Sequence, residues 1–311
     1  MTNSLLTPHS SPLTPFRGEL RENEPMAAHV SWRAGGVAAR AFFPADLEDL
    51  CLFLERLRTD EPVLMVGLGS NLLVRDGGYN GTVIFTHGVL SRMREEPDTG
   101  LLYVEAGVGS PKVARFAAGL DLEGAEFLAG VPGTFGGALA MNAGCHGGET
   151  WDLVERVLMV NRRGELTERS PEEFSLAYRH VGLKAQCDEW FVAAWLALGE
   201  GHGEESRARM KEMLDKRAAT QPLHLPNAGS VFRNPPEDHA ARLIQEAGLK
   251  GLSVGGAQVS EKHANFIVNP ESKASAADIE ALIEKVQAEV KAKFGVELVR
   301  EVRIVGERRE E

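Results

Sequence analysis

The stretch NAGSVFRNP, residues 227–235, places a hydroxyl where a short apolar strand begins. Ala228, Gly229 and Ser230 step into Val231-Phe232, and Arg233 and Asn234 follow directly. Glycine lets backbone approach a neighbour closely, and the basic and amide side chains add charge and hydrogen-bonding capacity. Two readings stand at this point. The segment is an ordinary turn, or it is a support that holds a proton donor, Ser230, over a reactive carbon.

Two glycine loops raise a second question. Gly67-Leu68-Gly69 follows an apolar run, as in a dinucleotide-binding turn. That fingerprint requires a third small residue where Leu72 stands and then a helix, whereas Ser70-Asn71 and a strand-like LLV follow here. No Gly-Lys-Ser/Thr follows either, so a phosphate-binding P-loop is excluded. What remains is a turn of exposed backbone N–H groups with two side-chain donors, Ser70 and Asn71, a form that binds anionic oxygens. A second loop, Val131-Pro132-Gly133-Thr134-Phe135-Gly136-Gly137 with Asn142-Ala143-Gly144 close behind, offers the same chemistry. Each loop reads as a tight turn that only glycine fits, or as one wall of a diphosphate cradle.

The elements around these residues alternate. PADLEDLCLFLERLR carries Leu47, Leu50, Leu54 and Leu57 at helical spacing behind a capping Asp46. PVLMVGLGSNLLV reads as strand, loop and strand, GTVIFTHG and LLYVEAGVG as strands, and SPKVARFAAGL as a helix opened by Ser110-Pro111. VERVLMVNRRGELTE turns at Arg163-Gly164, and WFVAAWLAL is a further strand. The polar link EGHGEES suggests a domain boundary near residue 202, after which a charged helix SRARMKEMLDKRAAT begins. DHAARLIQEAGLKG puts Ala240, Leu243, Ile244 and Ala247 on one face, with Gly248 as stop. SAADIEALIEKVQAEVKAKFG has Ser275 and Asp278 in capping positions and Gly295 as stop. The last strand, VELVREVRIVG, separates Val296, Leu298, Val302 and Ile304 from Glu297, Glu301 and Arg303. An α+β protein of at least two domains is expected.

The 311 residues carry a net charge of −11, which argues against sequence-independent nucleic-acid binding but leaves room for a local anion pocket. No run approaches the length of a membrane helix. The first 20 residues lack the pattern of a secretory signal and read as a flexible Ser/Thr/Pro-rich extension. Cys51, Cys145 and Cys187 are odd in number and far apart, so neither a disulfide framework nor a zinc site is expected, and a reducing cytoplasm fits.

Seven segments then occur in one order: HVSWRAGG (29–36), VGLGSNLLV (66–74), LAGVPGTFGGALAMNAG (128–144), AYR (177–179), NAGSVFRNP, LSVGGAQVSEKHANFIVN (252–269) and REVRIVG (300–306). Together they resemble the UDP-N-acetylenolpyruvoylglucosamine reductases, flavoenzymes that make UDP-N-acetylmuramate for bacterial peptidoglycan. The resemblance covers roughly residues 25 to 306. It implies an FAD-binding fold of the vanillyl-alcohol-oxidase type in two subdomains (21–90 and 91–202), followed by a smaller α+β substrate domain (203–311). The short connection after AYR resembles the form without an inserted substrate-covering loop.

By the same resemblance FAD is held without a covalent link. Gly67, Gly69, Ser70 and Asn71 stand on one side of it, and Pro132, Gly133, Gly136, Gly137, Asn142, Ala143 and Gly144 on the other. NADPH supplies hydride, and the substrate is UDP-N-acetylglucosamine enolpyruvate, an enol ether bearing a carboxylate. Hydride reaches its vinyl carbon, and negative charge builds at the adjacent carbon and its carboxylate, which calls for a cation and a proton source. The resemblance assigns Ser230 as proton donor, Arg179 as the active-site arginine and Glu301 as the assisting acid. Tyr178, Asn234, Lys262, His263 and Asn265 are the expected substrate contacts. Arg300 stands where a proline is common before the glutamate, implying a freer local backbone. A monomer or weak dimer in the cytoplasm is expected. The alternatives are a flavin oxidase on the same fold and a non-catalytic sugar-nucleotide sensor.

Overall fold

The computed structural model describes residues 15–185 and 187–309. The chain opens with β1 (Glu19–Pro25), β2 (Val37–Phe43), α1 (Leu47–Arg56), β3 (Val63–Val66), β4 (Leu72–Val74) and β5 (Tyr79–Phe85). Four of these strands form a sheet in the order β1-β2-β5-β3, with β2, β5 and β3 parallel and β1 antiparallel at the edge. As the sequence predicts, Asp46 caps α1, its carboxylate accepting from the Asp49 N–H at 3.0 Å. Most of the expected N-terminal extension, residues 1–14, lies outside the described residues. Its last part is not a loose tail. The N–H groups of Arg17 and Gly18 donate to the Asp49 carboxylate, and β1 starts at Glu19.

A second sheet follows, built from β6 (Met93–Glu95) and β7 (Leu102–Glu105), then α2 (Ser110–Gly119), β8 (Leu122–Glu123), α3 (Phe135–Met141), β9 (Gly144–Cys145), β10 (Gly148–Glu149), β11 (Val154–Asn161), β12 (Leu166–Arg169), β13 (Phe174–Ala177), β14 (His180–Leu183), β15 (Glu189–Leu196) and β16 (Gly199–Glu200). Its order is β12-β11-β15-β7-β6, antiparallel throughout. The helix α1 lies between the two sheets: Phe42, Leu50, Phe53 and Ile84 share one apolar cluster with Val160 and Val192. The cap of α2 is Gly109 rather than Ser110, with Pro111 in the first turn.

The remaining elements are α4 (Gly203–Thr220), α5 (Ala240–Glu246), β17 (Ser253–Val254), β18 (Ala257–Val259), β19 (Ile267–Val268), α6 (Ala276–Phe294) and β20 (Arg303–Val305). The break in composition near residue 202 is not a break in packing. Helix α4 rests on the middle region: Ser206 and Arg209 both donate to Glu126, and Met210 joins the apolar cluster of α2 and α3. A three-stranded sheet, β17-β18-β19, packs with α5 and α6 around Leu243, Ile279, Leu282, Ile283 and Val286. Trp32 and Leu73 from the first region are buried in that same cluster, and the Trp32 indole donates to Ile267 O at 2.8 Å.

The expected long last strand shrinks to Arg303–Val305, which pairs in parallel with β4. Residues before it are tied elsewhere: Glu301 N–H donates to Val231 O at 2.8 Å and Arg300 bridges to Phe232. Nor is the backbone at Arg300 left free by the missing proline, because its side chain donates to Gln287 Oε1 at 3.1 Å. Glu301 is thereby placed beside the segment of Ser230, not on the face of a regular strand.

Candidate active site

The two glycine loops touch. Ser70 Oγ donates to Pro132 O at 3.5 Å, and a Cβ on Gly67 would lie 2.1 Å from Thr134 Oγ1. Gly69 has φ +58, and its Cβ would meet His29 O at 2.2 Å. Glycine at both positions is therefore demanded by protein packed on protein, which is the turn reading. The same folding leaves backbone donors over. Among the described residues, the N–H groups of Gly69, Ser70, Asn71, Gly133 and Thr134 meet no acceptor in the chain.

These loops line a cavity of about 580 Å³. All the residues expected around a cofactor border it except Asn142. Asn142 is buried at the end of α3 with φ 43, and its side chain is held by Glu149 and the Trp151 N–H. Val63, Met65, Trp190 and Phe191 give the cavity an apolar wall. Unpaired N–H groups for a diphosphate beside an apolar wall for rings are a donor set that fits FAD.

Ser230, Arg179 and Glu301 border the same cavity. The serine segment is clamped on both sides. Asn227 Oδ1 accepts from Gly229 N–H at 2.9 Å, and Gly229 takes φ 73. Beyond the serine, Val231 N–H donates to Asn265 O at 2.9 Å, while Arg233 N–H donates to Val299 O at 2.9 Å. Among the described residues the Ser230 hydroxyl has no hydrogen-bond partner. A rigid backbone thus presents a free O–H to the cavity.

Arg179 occupies the turn of the β13–β14 hairpin with φ 54. Its Nη1 donates to Asn142 O at 3.2 Å and its Nη2 to Gly144 O at 2.7 Å. Its Nε lies 3.2 Å from Glu301 Oε1, an ion pair without hydrogen-bond alignment. Glu301 is 16% exposed. Burial pushes its carboxyl above the usual range, opposed by the positive charges of Arg179 and Arg233. The arrangement holds an acid that retains its proton more readily than a surface glutamate, pinned by an arginine next to a free hydroxyl.

The five expected substrate contacts do not border the cavity. Asn265 is buried and spends its side chain on Phe232: Oδ1 accepts from Phe232 N–H at 3.0 Å and Nδ2 donates to Phe232 O at 2.8 Å. Both amide groups are consumed in the clamp behind Ser230. Asn234 Oδ1 accepts from Ala240 N–H at the start of α5. Lys262 Nζ donates to Ala218 O at 2.6 Å. His263 stacks edge-on against Phe266, and burial holds its pKa below the ordinary value. Tyr178 is exposed, with the Arg179 guanidinium 5.3 Å from its ring centre.

Other side chains border the cavity without having been expected there, notably Arg217, Gln221, Cys145 and Phe266. Arg217 stands in a charged helix, where the pattern reads as a solvated face. The four-residue step to Gln221, whose Oε1 accepts from Arg217 Nε at 2.9 Å, is the one local signal.

Comparison with known proteins identifies the family. A family model described as FAD binding domain matches residues 38–170, and one described as UDP-N-acetylenolpyruvoylglucosamine reductase, C-terminal domain, matches residues 221–305. The UDP-N-acetylenolpyruvoylglucosamine reductase of Thiobacillus denitrificans is 56% identical over 305 residues, covering 94% of each chain. That of Methylococcus capsulatus is 58% identical over 293 residues, covering 94% of this chain and 95% of the relative. The solved UDP-N-acetylenolpyruvylglucosamine reductase of Thermus caldophilus superimposes with a TM-score of 0.78 at 33% identity, over 93% of this chain and 99% of the other. The fold is an α+β FAD-binding region followed by a smaller α+β domain. The chain belongs to the UDP-N-acetylenolpyruvoylglucosamine reductase family and is an FAD oxidoreductase.

Proposed function

We propose that this protein reduces UDP-N-acetylglucosamine enolpyruvate to UDP-N-acetylmuramate with hydride from NADPH, in cytoplasmic peptidoglycan precursor synthesis. The observation that carries the reading is the convergence of Ser230, Arg179 and Glu301, from three distant segments, on the cavity that the glycine loops border. FAD would supply hydride chemistry here when bound along those loops. The free N–H groups of Gly69, Ser70, Asn71, Gly133 and Thr134 would hold its diphosphate.

The chain's own work is proton supply and charge control. Ser230 Oγ gives its proton to the carbon next to the substrate carboxylate, where negative charge has built up. A serine is a weak acid, so the transfer depends on that charge and on surroundings that stabilise the oxyanion left behind. Glu301, whose carboxyl has its pKa raised by burial, is anchored beside Ser230 by its backbone N–H, which donates to Val231 O, and supports proton supply. Arg179 fixes Glu301 and braces the 142–144 turn, so the acid and the cofactor loop keep one geometry.

The test is an anaerobic flavin assay. NADPH should bleach the bound flavin, and the enolpyruvyl sugar nucleotide should restore its colour. Ser230→Ala should bleach normally but recover roughly 100-fold or more slowly, the scale of a lost general acid. A wild-type flavin that bleaches and is never reoxidised by this substrate would overturn the assignment.

A further inference from the structure

Five charged side chains border the cavity: Arg179, Glu189, Arg217, Glu301 and Arg303. Glu189 is taken up by a two-pronged bond to Arg169, both contacts at 2.7 Å. Arg179 is committed to Glu301 and to two backbone carbonyls. Arg303 is exposed at the rim. Arg217 is different: it is only partly exposed, and its one side-chain bond uses Nε, to Gln221 Oε1. Neither terminal nitrogen has an acceptor among the described residues, and no carboxylate pairs with it.

We propose that Arg217 is the residue of this cavity that receives an anionic oxygen brought by a ligand. A guanidinium removed from water without a carboxylate is an unfavourable arrangement, and it becomes favourable when an anion arrives. Its planar fork suits a carboxylate or another pair of anionic oxygens. Burial lowers the pKa of Arg217, and the titrating group facing it is the Cys145 thiol, which burial keeps protonated. A neutral thiol is no counter-ion. Arg217 also stands in the last turn of α4, where a cation suits the helix end. That role needs no burial, and Lys262 already serves the Ala218 carbonyl there.

Two sources can bring the anion: the substrate carboxylate, which rests on the function proposed above, and the reduced cofactor, which does not. FAD-loaded wild type, Arg217→Met and Arg217→Lys would be compared in three measurements. These are FAD affinity, the midpoint potential of bound flavin, and the Kd of the enolpyruvyl sugar nucleotide against UDP-N-acetylglucosamine, which lacks the carboxylate. If the substrate is the source, Arg217→Met binds the enolpyruvyl compound at least tenfold more weakly and UDP-N-acetylglucosamine unchanged, and Lys recovers part of the loss. If the reduced cofactor is the source, Arg217→Met lowers the midpoint potential while both sugar nucleotides bind as before.

Arg217→Met that matches wild type in every measurement overturns the proposal. So does a loss shared equally by Met and Lys and accompanied by a lower Tm, which marks a structural role. A wild-type protein that fails to bind the enolpyruvyl compound would sink the proposed function alone, since the potential still decides on Arg217.

Discussion

Replacing Asn265 by alanine separates a substrate contact from a structural clamp. The amide satisfies both backbone groups of Phe232, which is 2% exposed, and is itself 4% exposed. Asn265→Ala strands a buried N–H and a buried C=O, each costing about 1–3 kcal/mol. With partial relaxation the sum is roughly 3 kcal/mol. At about 1.5–2 °C per kcal/mol for the 311-residue chain unfolding as one unit, Tm should fall by roughly 5–6 °C. Thermal melting of the FAD-loaded protein followed by circular dichroism reads this directly. Because Phe232 is two residues from Ser230, turnover should drop through kcat, while the Kd of the sugar nucleotide should hold. Asn265→Asp still accepts from Phe232 N–H but sets a carboxylate against Phe232 O, so it should not restore stability. An unchanged Tm together with weaker sugar-nucleotide binding would refute this reasoning and return Asn265 to the substrate.

Other expectations follow from the same geometry. Glu301 has its pKa raised above the ordinary 4.5 by burial, so the folded chain holds this proton more tightly than the unfolded chain. Its contribution to stability is full below the ordinary value and is lost as pH rises through the raised pKa. The stability of wild type relative to Glu301→Gln, from urea unfolding, should therefore decline as pH climbs from about 4; a flat difference would count against a raised pKa. Gly67→Ala drives a methyl against Thr134 Oγ1 and Cγ2, at 2.1 and 2.8 Å. Overpacking of about 1–3 kcal/mol should weaken FAD binding about ten- to a hundredfold by fluorescence titration, with part regained on adding Thr134→Ala. Trp32→Phe leaves the buried Ile267 carbonyl unmet. It should cost about 1–3 kcal/mol in urea unfolding, and a loss below about 0.5 kcal/mol would argue that water replaces the indole.

Much of the local structure was legible because its causes are local. Asp46 before a leucine stripe, Ser275 and Asp278 around the start of α6, and Gly295 at its end act within one turn of helix, and all three hold. The expected long last strand was misread because alternation of apolar and polar residues shows only which side chains want burial. Residues 296–302 bury Leu298 and Val302 without sheet pairing, since their backbone is drawn to the Ser230 segment instead. Asn265 and Lys262, expected at the substrate, have partners within the chain that the sequence does not announce. A polar residue inside a matched motif is marked as needed, but its sequence does not say whether its partner is a ligand or the chain's own backbone.

By itself the sequence determined the α+β class, the ends of α6 and the start of α1, the glycine loops, and the choice of Ser230, Arg179 and Glu301, which border one cavity. The structure alone decided that Arg179 closes on Glu301 and on two carbonyls, and that Trp32 reaches into the C-terminal core. It alone decided, too, that Arg217 is left with free donors over the cavity. Periodicity and caps are short-range effects written in neighbouring residues. Which distant group satisfies a buried charge or a stranded donor is fixed only when the chain has closed on itself, because burial is what makes that partner necessary.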